Sequence, residues 1–281
     1  MANVLPKDKQ IAVIAALAEG SSIRSIERMT DVHRDTIMRL GVRIGQGCAK
    51  VMDLTMRDLP CQNIQVDEIW GFVGKKNKNL KWGDNSNRLG DAWTFCAIDA
   101  DTKLVPCFKV GKRDSWTANA FMRDLSRRLQ NRVQLSSDAL SAYVDAVERS
   151  FGTEVDYGQI VKSYTNENDN YSPERRYSPA EVVSIRKESI MGEPDMDLVS
   201  TSYVERLNAT TRTHMKRLSR LTLAFSKKWE HFEAAVGLHF VAYNFVRRHA
   251  TLRMTPAMAA GVEKNFWTFG DMVEMATEVT K

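Results

Sequence analysis

The stretch from residue 63 to residue 161 constrains the fold most, because its apolar pattern changes within it. Three strand-like runs come first, and helix-like and strand-like segments then alternate. Closely spaced strands can form an antiparallel meander, whereas strands separated by a helix pair in parallel. The predicted strands are Asn63–Val73, Asp91–Ala100, Leu104–Gly111, Arg132–Ser137 and Glu154–Val161, with helices at Asp114–Gln130 and Ala139–Phe151. This order predicts an α/β fold with a mixed five-stranded sheet flanked by helices.

The N-terminal segment has helical periodicity instead. A helix over residues 8–19 ends at Gly20, a short helix follows Ser21 or Ser22, and a third begins near Val32. Helix, short helix, tight turn and helix is the order of a helix-turn-helix unit, although a three-helix packing module that binds no DNA has the same pattern. If the third helix reads DNA, its early residues would make the contacts: His33, Arg34, Thr36 and Arg39.

Three acidic residues lie in or next to predicted strands and helices, at positions where α/β folds place functional groups. Asp67 lies inside the first predicted strand, Asp138 follows the fourth, and Glu205 begins a later helix. A carboxylate within an apolar strand is costly unless it is paired or binds a metal. Gathered carboxylates are the ligands that Mg²⁺ prefers, and two such ions can support phosphodiester chemistry. The three acids are therefore candidate catalytic and metal-binding residues.

Each of these acids also has a simpler interpretation. Asp138 could cap the helix predicted to start near Ala139. Glu205 could be an acid of the kind favoured in the first turn of a helix. Glu68 could be the functional acid in place of Asp67, because strand alternation alone does not choose between neighbours. The spacing of the residues leaves these alternatives open.

A basic segment follows the third acid. No acid interrupts this segment, which indicates a polyanion partner or a solvated helix face. Its seven cations are Arg206, Arg212, Lys216, Arg217, Arg220, Lys227 and Lys228. A polar stripe of Glu205, Asn208, Arg212 and Lys216 is predicted on one helix face. The net charge of +5 is mild, and the four cysteines lack the spacing of a zinc site.

Several motifs resemble the insertion-sequence transposases of the IS-one group, whose members carry an RNase H-like catalytic domain of the DDE class. The similar stretches run over nearly the whole chain: Leu17–Arg28, Thr36–Leu40, Val66–Trp70 with Gly74–Lys76, Tyr203–Arg212, Lys216–Arg220, Tyr243–His249 and Thr255–Gly261. The resemblance implies that Asp67, Asp138 and Glu205 bind the metals. It also implies supporting or DNA-binding roles for Asn208, Arg212, Lys216 and Arg217, and we expect Lys75, Lys76 and Arg220 to contact DNA as well.

The resemblance gives the chain an expected organisation. Residues 1–58 would form a helix-turn-helix domain, residues 62–222 an RNase H-like domain with an insertion at about 164–200, and residues 223–281 a helical C-terminal region. The expected activity is cleavage and transfer of DNA strands at terminal inverted repeats with two Mg²⁺ ions, for which Mn²⁺ can substitute. A homo-oligomer on DNA in the bacterial cytoplasm is expected. The alternative is a DNA-binding regulator with a relic nuclease core.

Overall fold

The computed structural model describes residues 4–164, 182–219 and 222–280. Its strands are β1 (Asn63–Val73), β2 (Gly90–Asp99), β3 (Phe108–Gly111), β4 (Val133–Asp138), β5 (Val155–Tyr164) and β6 (Val182–Met191). They form one sheet in the order β3-β2-β1-β4-β5-β6. β1, β2 and β3 pair antiparallel, whereas β4 runs parallel with both β1 and β5. The predicted mixed sheet flanked by helices is confirmed, and it is consistent with an RNase H-like fold.

The sheet has six strands, where the sequence predicts five. The additional strand, β6, pairs antiparallel with β5 at one edge of the sheet. It falls in the segment predicted to be an irregular insertion. Val182, Val183 and Ile185 of this strand are all exposed, so the alternation that normally reveals a half-buried strand is missing. Residues 165–181 of the predicted insertion lie outside the described residues.

The third strand is shorter than predicted, and a side chain from a distant segment explains why. Val105 donates its backbone N–H to Asn244 Oδ1 at 3.0 Å, and Asn244 Nδ2 donates to the Val105 carbonyl at 2.8 Å. The amide of Asn244 thereby replaces a strand partner at Val105. Regular pairing with β2 begins only at Phe108.

Two pairs of helices cover the two faces of the sheet. The pairs are α4 (Ser115–Ser126) with α5 (Ser141–Phe151), and α6 (Ser202–His214) with α7 (Trp229–Val241). On the first face, Phe95 of β2 contacts Phe121 and Tyr143. On the second, Phe232 of α7 lies directly over Gly71 of β1. Because side chains alternate along a strand, neighbouring residues of β1 meet different helix pairs.

The N-terminal segment forms α1 (Lys7–Ala18), α2 (Ile23–Thr30) and α3 (Arg34–Thr55), in the predicted order of helix, short helix, turn and helix. Asp31 ends α2 in the left-handed region, with φ of 55°. Gly45 and Gly47 of α3 lie against backbone carbonyls of α7 and of the C-terminal helix α9 (Phe269–Glu278). The hydrophobic core is therefore continuous from α1 to α9.

The C-terminal helices are shorter than predicted. The sequence predicts one helix over Trp229–Arg248, but α7 ends at Val241 and a wider helical turn, Ala242–Val246, follows. That turn contains Asn244, whose side chain binds Val105 of the sheet. The helix predicted over residues 256–278 is divided into α8 (Pro256–Ala259) and α9. Within the described part of the chain, no helix is both long enough and apolar enough to cross a membrane.

Candidate active site

The two strand acids meet because β1 and β4 are parallel neighbours. Gln65 pairs with Ser136, so continuation of the same register brings Asp67 level with Asp138 at the end of β4. One carboxylate oxygen from each of Asp67, Glu68 and Asp138 lies within 4.8 Å of the others. This grouping places three negative charges, from adjacent strands, within reach of one cation.

Asp67 faces the helix that carries the third predicted acid. Its Oδ2 accepts a hydrogen bond from Asn208 Nδ2 of α6 at 2.6 Å, and its Oδ1 accepts one from the Glu68 backbone N–H at 2.8 Å. Cys96 Sγ in turn donates to Asn208 Oδ1 at 3.5 Å, which holds the amide in this orientation. Burial, followed by the charge of Glu68, raises the pKa of Asp67 to about 7.

Glu68 is held by two partners, Tyr143 of α5 and Arg113. Its side chain is only 1% exposed, and its Oε1 accepts from Arg113 Nε at 2.7 Å. Its Oε2 accepts from the Tyr143 hydroxyl at 2.9 Å. Burial and the charge of Asp138 raise the pKa of Glu68, and Arg113 opposes that shift. Glu68 therefore joins the acid cluster as a neutralised neighbour, whereas Asp67 has no cation within ion-pair distance among the described residues.

Asp138 does not cap a helix through its side chain. α5 begins at Ser141, after Leu140, and it has no side-chain cap. Asp138 Oδ1 accepts the Leu140 backbone N–H at 3.2 Å, while Oδ2 lies 4.0 Å from Arg113 Nη2. The side chain is 39% exposed. Its carboxylate is accordingly positioned by a local turn and remains open to a ligand.

Glu205 lies in the first turn of α6 and is paired with a cation. Lys162 Nζ of β5 contacts Glu205 Oε1 at 2.5 Å, and Thr201 Oγ1 donates to the same oxygen at 2.9 Å. The hydrogen bond to Glu205 raises the pKa of Lys162. Both side chains line the cleft that contains the two strand acids.

The cleft is open to solvent and has a volume of about 470 Å³. Three acids and two cations converge on it: Asp67, Asp138, Glu205, Arg113 and Lys162. The structure thus brings all three predicted catalytic acids to one cavity. Sequence reasoning missed Arg113, Tyr143 and Lys162, since each comes from a different segment and no spacing signal links it to the acids.

The predicted DNA contacts of the third helix lie at its exposed beginning. His33 precedes α3 and accepts the Asp35 backbone N–H through Nδ1 at 3.3 Å. Arg34 and Arg39 are exposed, and Thr36 is half-buried. This end of α3 is accessible to a ligand, and its role as a DNA-reading surface stays a prediction.

Lys75 and Lys76, predicted to contact DNA, are already engaged within the protein. Lys75 Nζ donates to both oxygens of Asp84, at 2.9 and 2.8 Å. Lys76 Nζ lies 5.3 Å from the centre of the Trp70 ring. A phosphate would have to compete with these partners.

The basic segment after Glu205 does not form one continuous helix. α6 ends at His214, Met215 is extended, and Lys216 begins a 3₁₀ turn, so the predicted stripe stops at Arg212. Arg212 Nη1 donates to the Leu218 carbonyl at 2.5 Å, and Arg217 Nη1 donates to Ser226 Oγ at 2.7 Å. Burial lowers the pKa of Arg217. Arg220 lies outside the described residues.

Comparisons with known proteins provide little further information. No protein-family model and no curated protein matches the chain. A cryo-EM structure of the piggyBac transposase synaptic complex with hairpin DNA is similar, with 10% sequence identity and a TM-score of 0.47. The match covers 100% of this chain and 73% of that one. A likeness of this degree does not assign a function, which has to be argued from the side chains of the cleft.

Proposed function

We propose that this chain is a DNA transposase of the DDE class, as its resemblance to the IS-one group implies. It would bind the terminal inverted repeats of an insertion sequence and catalyse strand cleavage and strand transfer. One observation carries the proposal: Asp67, Asp138 and Glu205, which come from three distant parts of the chain, line one open cleft.

The donor set of the cleft fits divalent metal. Asp67 and Asp138 offer oxygens within 4.8 Å of each other. Burial first, and then the charge of Glu68, raises the pKa of Asp67, and a bound cation would oppose both effects. Hard cations such as Mg²⁺ or Mn²⁺ prefer these carboxylate ligands. We assign Asp67, Asp138 and Glu205 as the ligands, with two ions expected. Bound metal would supply the charge that activates the attacking oxygen and stabilises the leaving oxygen.

The remaining residues of the cleft have roles that follow from their positions. Asn208 orients Asp67 through its hydrogen bond at 2.6 Å. Arg113 and Lys162 lie at the cleft wall, where cations can hold the oxygens of a scissile phosphate. In the first step, water attacks phosphorus and the bond to the 3′ oxygen breaks, which leaves a 3′-hydroxyl. In the second step, that hydroxyl attacks a target phosphodiester and displaces its 3′ oxygen.

We assign residues 1–58 to recognition of the transposon ends, residues 62–222 to catalysis and residues 223–281 to a helical C-terminal region. The exposed start of α3 supports the first assignment, because His33, Arg34 and Arg39 are accessible there. Two DNA ends have to be held together for transfer, so a homo-oligomer on DNA is part of the proposal.

The test uses purified protein with DNA that carries the inverted repeats flanking its gene, in the presence of Mg²⁺ or Mn²⁺. We expect nicked and joined products from the wild type, and loss of both with retained DNA binding for Asp67→Asn and Glu205→Gln. Glu230→Gln is the matched control, since Glu230 occupies the first turn of α7 and lies outside the cleft. Activity at the wild-type level in either acid variant contradicts the assignment. DNA binding without metal-dependent nicking by the wild type would favour the regulator with a relic core.

A further inference from the structure

A tryptophan side chain is held entirely in solvent by the loop that joins β1 to β2. Trp82 is 103% exposed, the highest exposure among the large hydrophobic residues of the described chain. It occupies the second position of a tight turn, in which the Asp84 N–H donates to the Lys81 carbonyl at 3.0 Å. Gly83 supplies the positive φ of 91° at the third position, as a type II turn requires. The turn therefore projects the indole away from the protein.

The loop that presents Trp82 is well anchored. Lys75 Nζ binds both oxygens of Asp84, one of which also accepts the Lys81 N–H. At the base of the loop, the Asn77 N–H donates to Asp91 Oδ1 at 3.0 Å, and the Asp91 N–H donates to Asn77 Oδ1 at 2.8 Å. A pre-ordered loop loses little conformational entropy when a ligand stacks on the indole.

The surroundings of Trp82 are strongly basic. Between Gly74 and Leu89 the chain has one acid, Asp84, which forms an ion pair with Lys75. The same stretch has five basic residues: Lys75, Lys76, Lys78, Lys81 and Arg88. Lys78, Lys81 and Arg88 are exposed. The loop also adjoins the basic segment after α6, because the Gly74 N–H donates to the Ser226 carbonyl at 2.8 Å. An exposed aromatic ring among cations is the combination that binds single-stranded nucleic acid.

We propose that Trp82 is a stacking platform for an unpaired nucleobase, and that the basic residues around it hold the flanking phosphates. Paired bases inside a duplex have no free face, so a base at a strand end or outside the stack is the ligand that fits a single exposed ring. Along β1, the loop begins about 20 Å beyond Asp67, at roughly 3.3 Å per residue. The platform would therefore hold DNA near, but not at, the cleft. This inference rests on the proposed function, since it takes DNA as the substrate.

The experiment measures binding of the full chain to two fluorescent DNA probes without divalent metal, so that no cleavage occurs. One probe is a blunt duplex, and the other is the same duplex with a short single-stranded extension of mixed sequence. Stacking on one base is worth a fold-change in affinity on the order of 5 to 100. We expect the wild type to prefer the extended probe by a factor in that range, Trp82→Ala to lose the preference, and Trp82→Phe to keep most of it.

The matched control is Trp116→Ala, since Trp116 is 73% exposed but lies outside the loop. It should leave both affinities unchanged. The inference is overturned if Trp82→Ala keeps the preference, or if it weakens both probes equally. Wild-type binding to neither probe overturns the inference, whereas the proposed function is decided by the cleavage assay on inverted-repeat DNA. A Trp82-dependent preference without any metal-dependent cleavage would refute only the transposase proposal.

Discussion

The raised pKa of Asp67 predicts that this proposed catalytic residue destabilises the fold at neutral and alkaline pH. In the unfolded chain this carboxyl ionises with a pKa of 3.8, and in the folded chain with one of about 7. Each unit of pKa difference corresponds to about 1.4 kcal/mol, so the full effect approaches ~4 kcal/mol above pH 7. It is absent below pH ~3, where both states are protonated, and it grows as the pH rises to about 7. Ionisation of Asp67 thus favours the unfolded chain.

Asp67→Asn removes this titration. The difference in free energy of unfolding between variant and wild type should therefore rise with pH, by about 2 kcal/mol between pH ~5.5 and pH ~8.5. Hydrogen bonds lost or gained by the amide contribute equally at both pH values and cancel in this comparison. Urea denaturation followed by circular dichroism at the two pH values measures the change.

Asp84→Asn is the control, since its effect on the free energy of unfolding should not depend on pH in this range. Its hydrogen bond with Lys75 lowers the pKa of Asp84, so this residue is ionised in both states throughout that pH range. The difference in free energy of unfolding between Asp84→Asn and wild type should therefore be the same at both pH values. If the difference in free energy of unfolding between Asp67→Asn and wild type is equally constant, the Asp67 carboxylate is not buried without a compensating cation, which contradicts the electrostatic support for metal at Asp67.

Two further perturbations test the cleft and the core. Lys162→Met should increase Mn²⁺ affinity about two- to fivefold, measured by calorimetry, because it removes the ammonium that pairs with the Glu205 carboxylate in the free protein. Lys187→Met on β6 is the control. Weaker Mn²⁺ binding by Lys162→Met would refute competition between Lys162 and the metal for Glu205. Gly45→Ala should lower the free energy of unfolding by about 2 to 3 kcal/mol, because a Cβ there overlaps the Ala234 carbonyl. Gly41→Ala in the same helix would meet only the end of the Leu17 side chain and should be nearly neutral; equal effects would contradict the packing argument.

The sequence predicts the centre of the fold well, because local patterns determine it. The first predicted strand coincides with β1, and the fourth with β4 to within one residue at each end. Parallel pairing then brings the acid within one strand level with the acid at the end of the other. The helical position of Glu205 likewise follows from periodicity. The strand pattern does not choose between Asp67 and Glu68, and the preference for Asp67 comes from the resemblance. The two residues alternate across β1, and the helices on each face decide that Asp67 meets Asn208 whereas Glu68 meets Tyr143.

Other features could not be predicted, because distant segments determine them. Lys162 binds Glu205 across an interval that includes β6. The late start of β3 depends on Asn244, which follows it by more than a hundred residues. The break between α6 and Lys216 lacks a glycine or proline, and Met215 simply adopts an extended conformation there. In the first two cases a side chain from a distant segment decides the local structure.

Helix α3 determines how far its own exposed start, proposed to bind the transposon ends, lies from the cleft that contains Asp67. It has 22 residues and is therefore about 33 Å long. Its start is exposed, while its second half is fixed at Gly45 against α7, and α7 supports β1 through Phe232 at Gly71. Under the proposed function, α3 sets a fixed distance between two points on the DNA. One is the sequence bound at the start of α3, and the other is the bond cut beside Asp67. The position of the cut is then a property of the protein's geometry, and it requires no sequence recognition at the cleavage point itself.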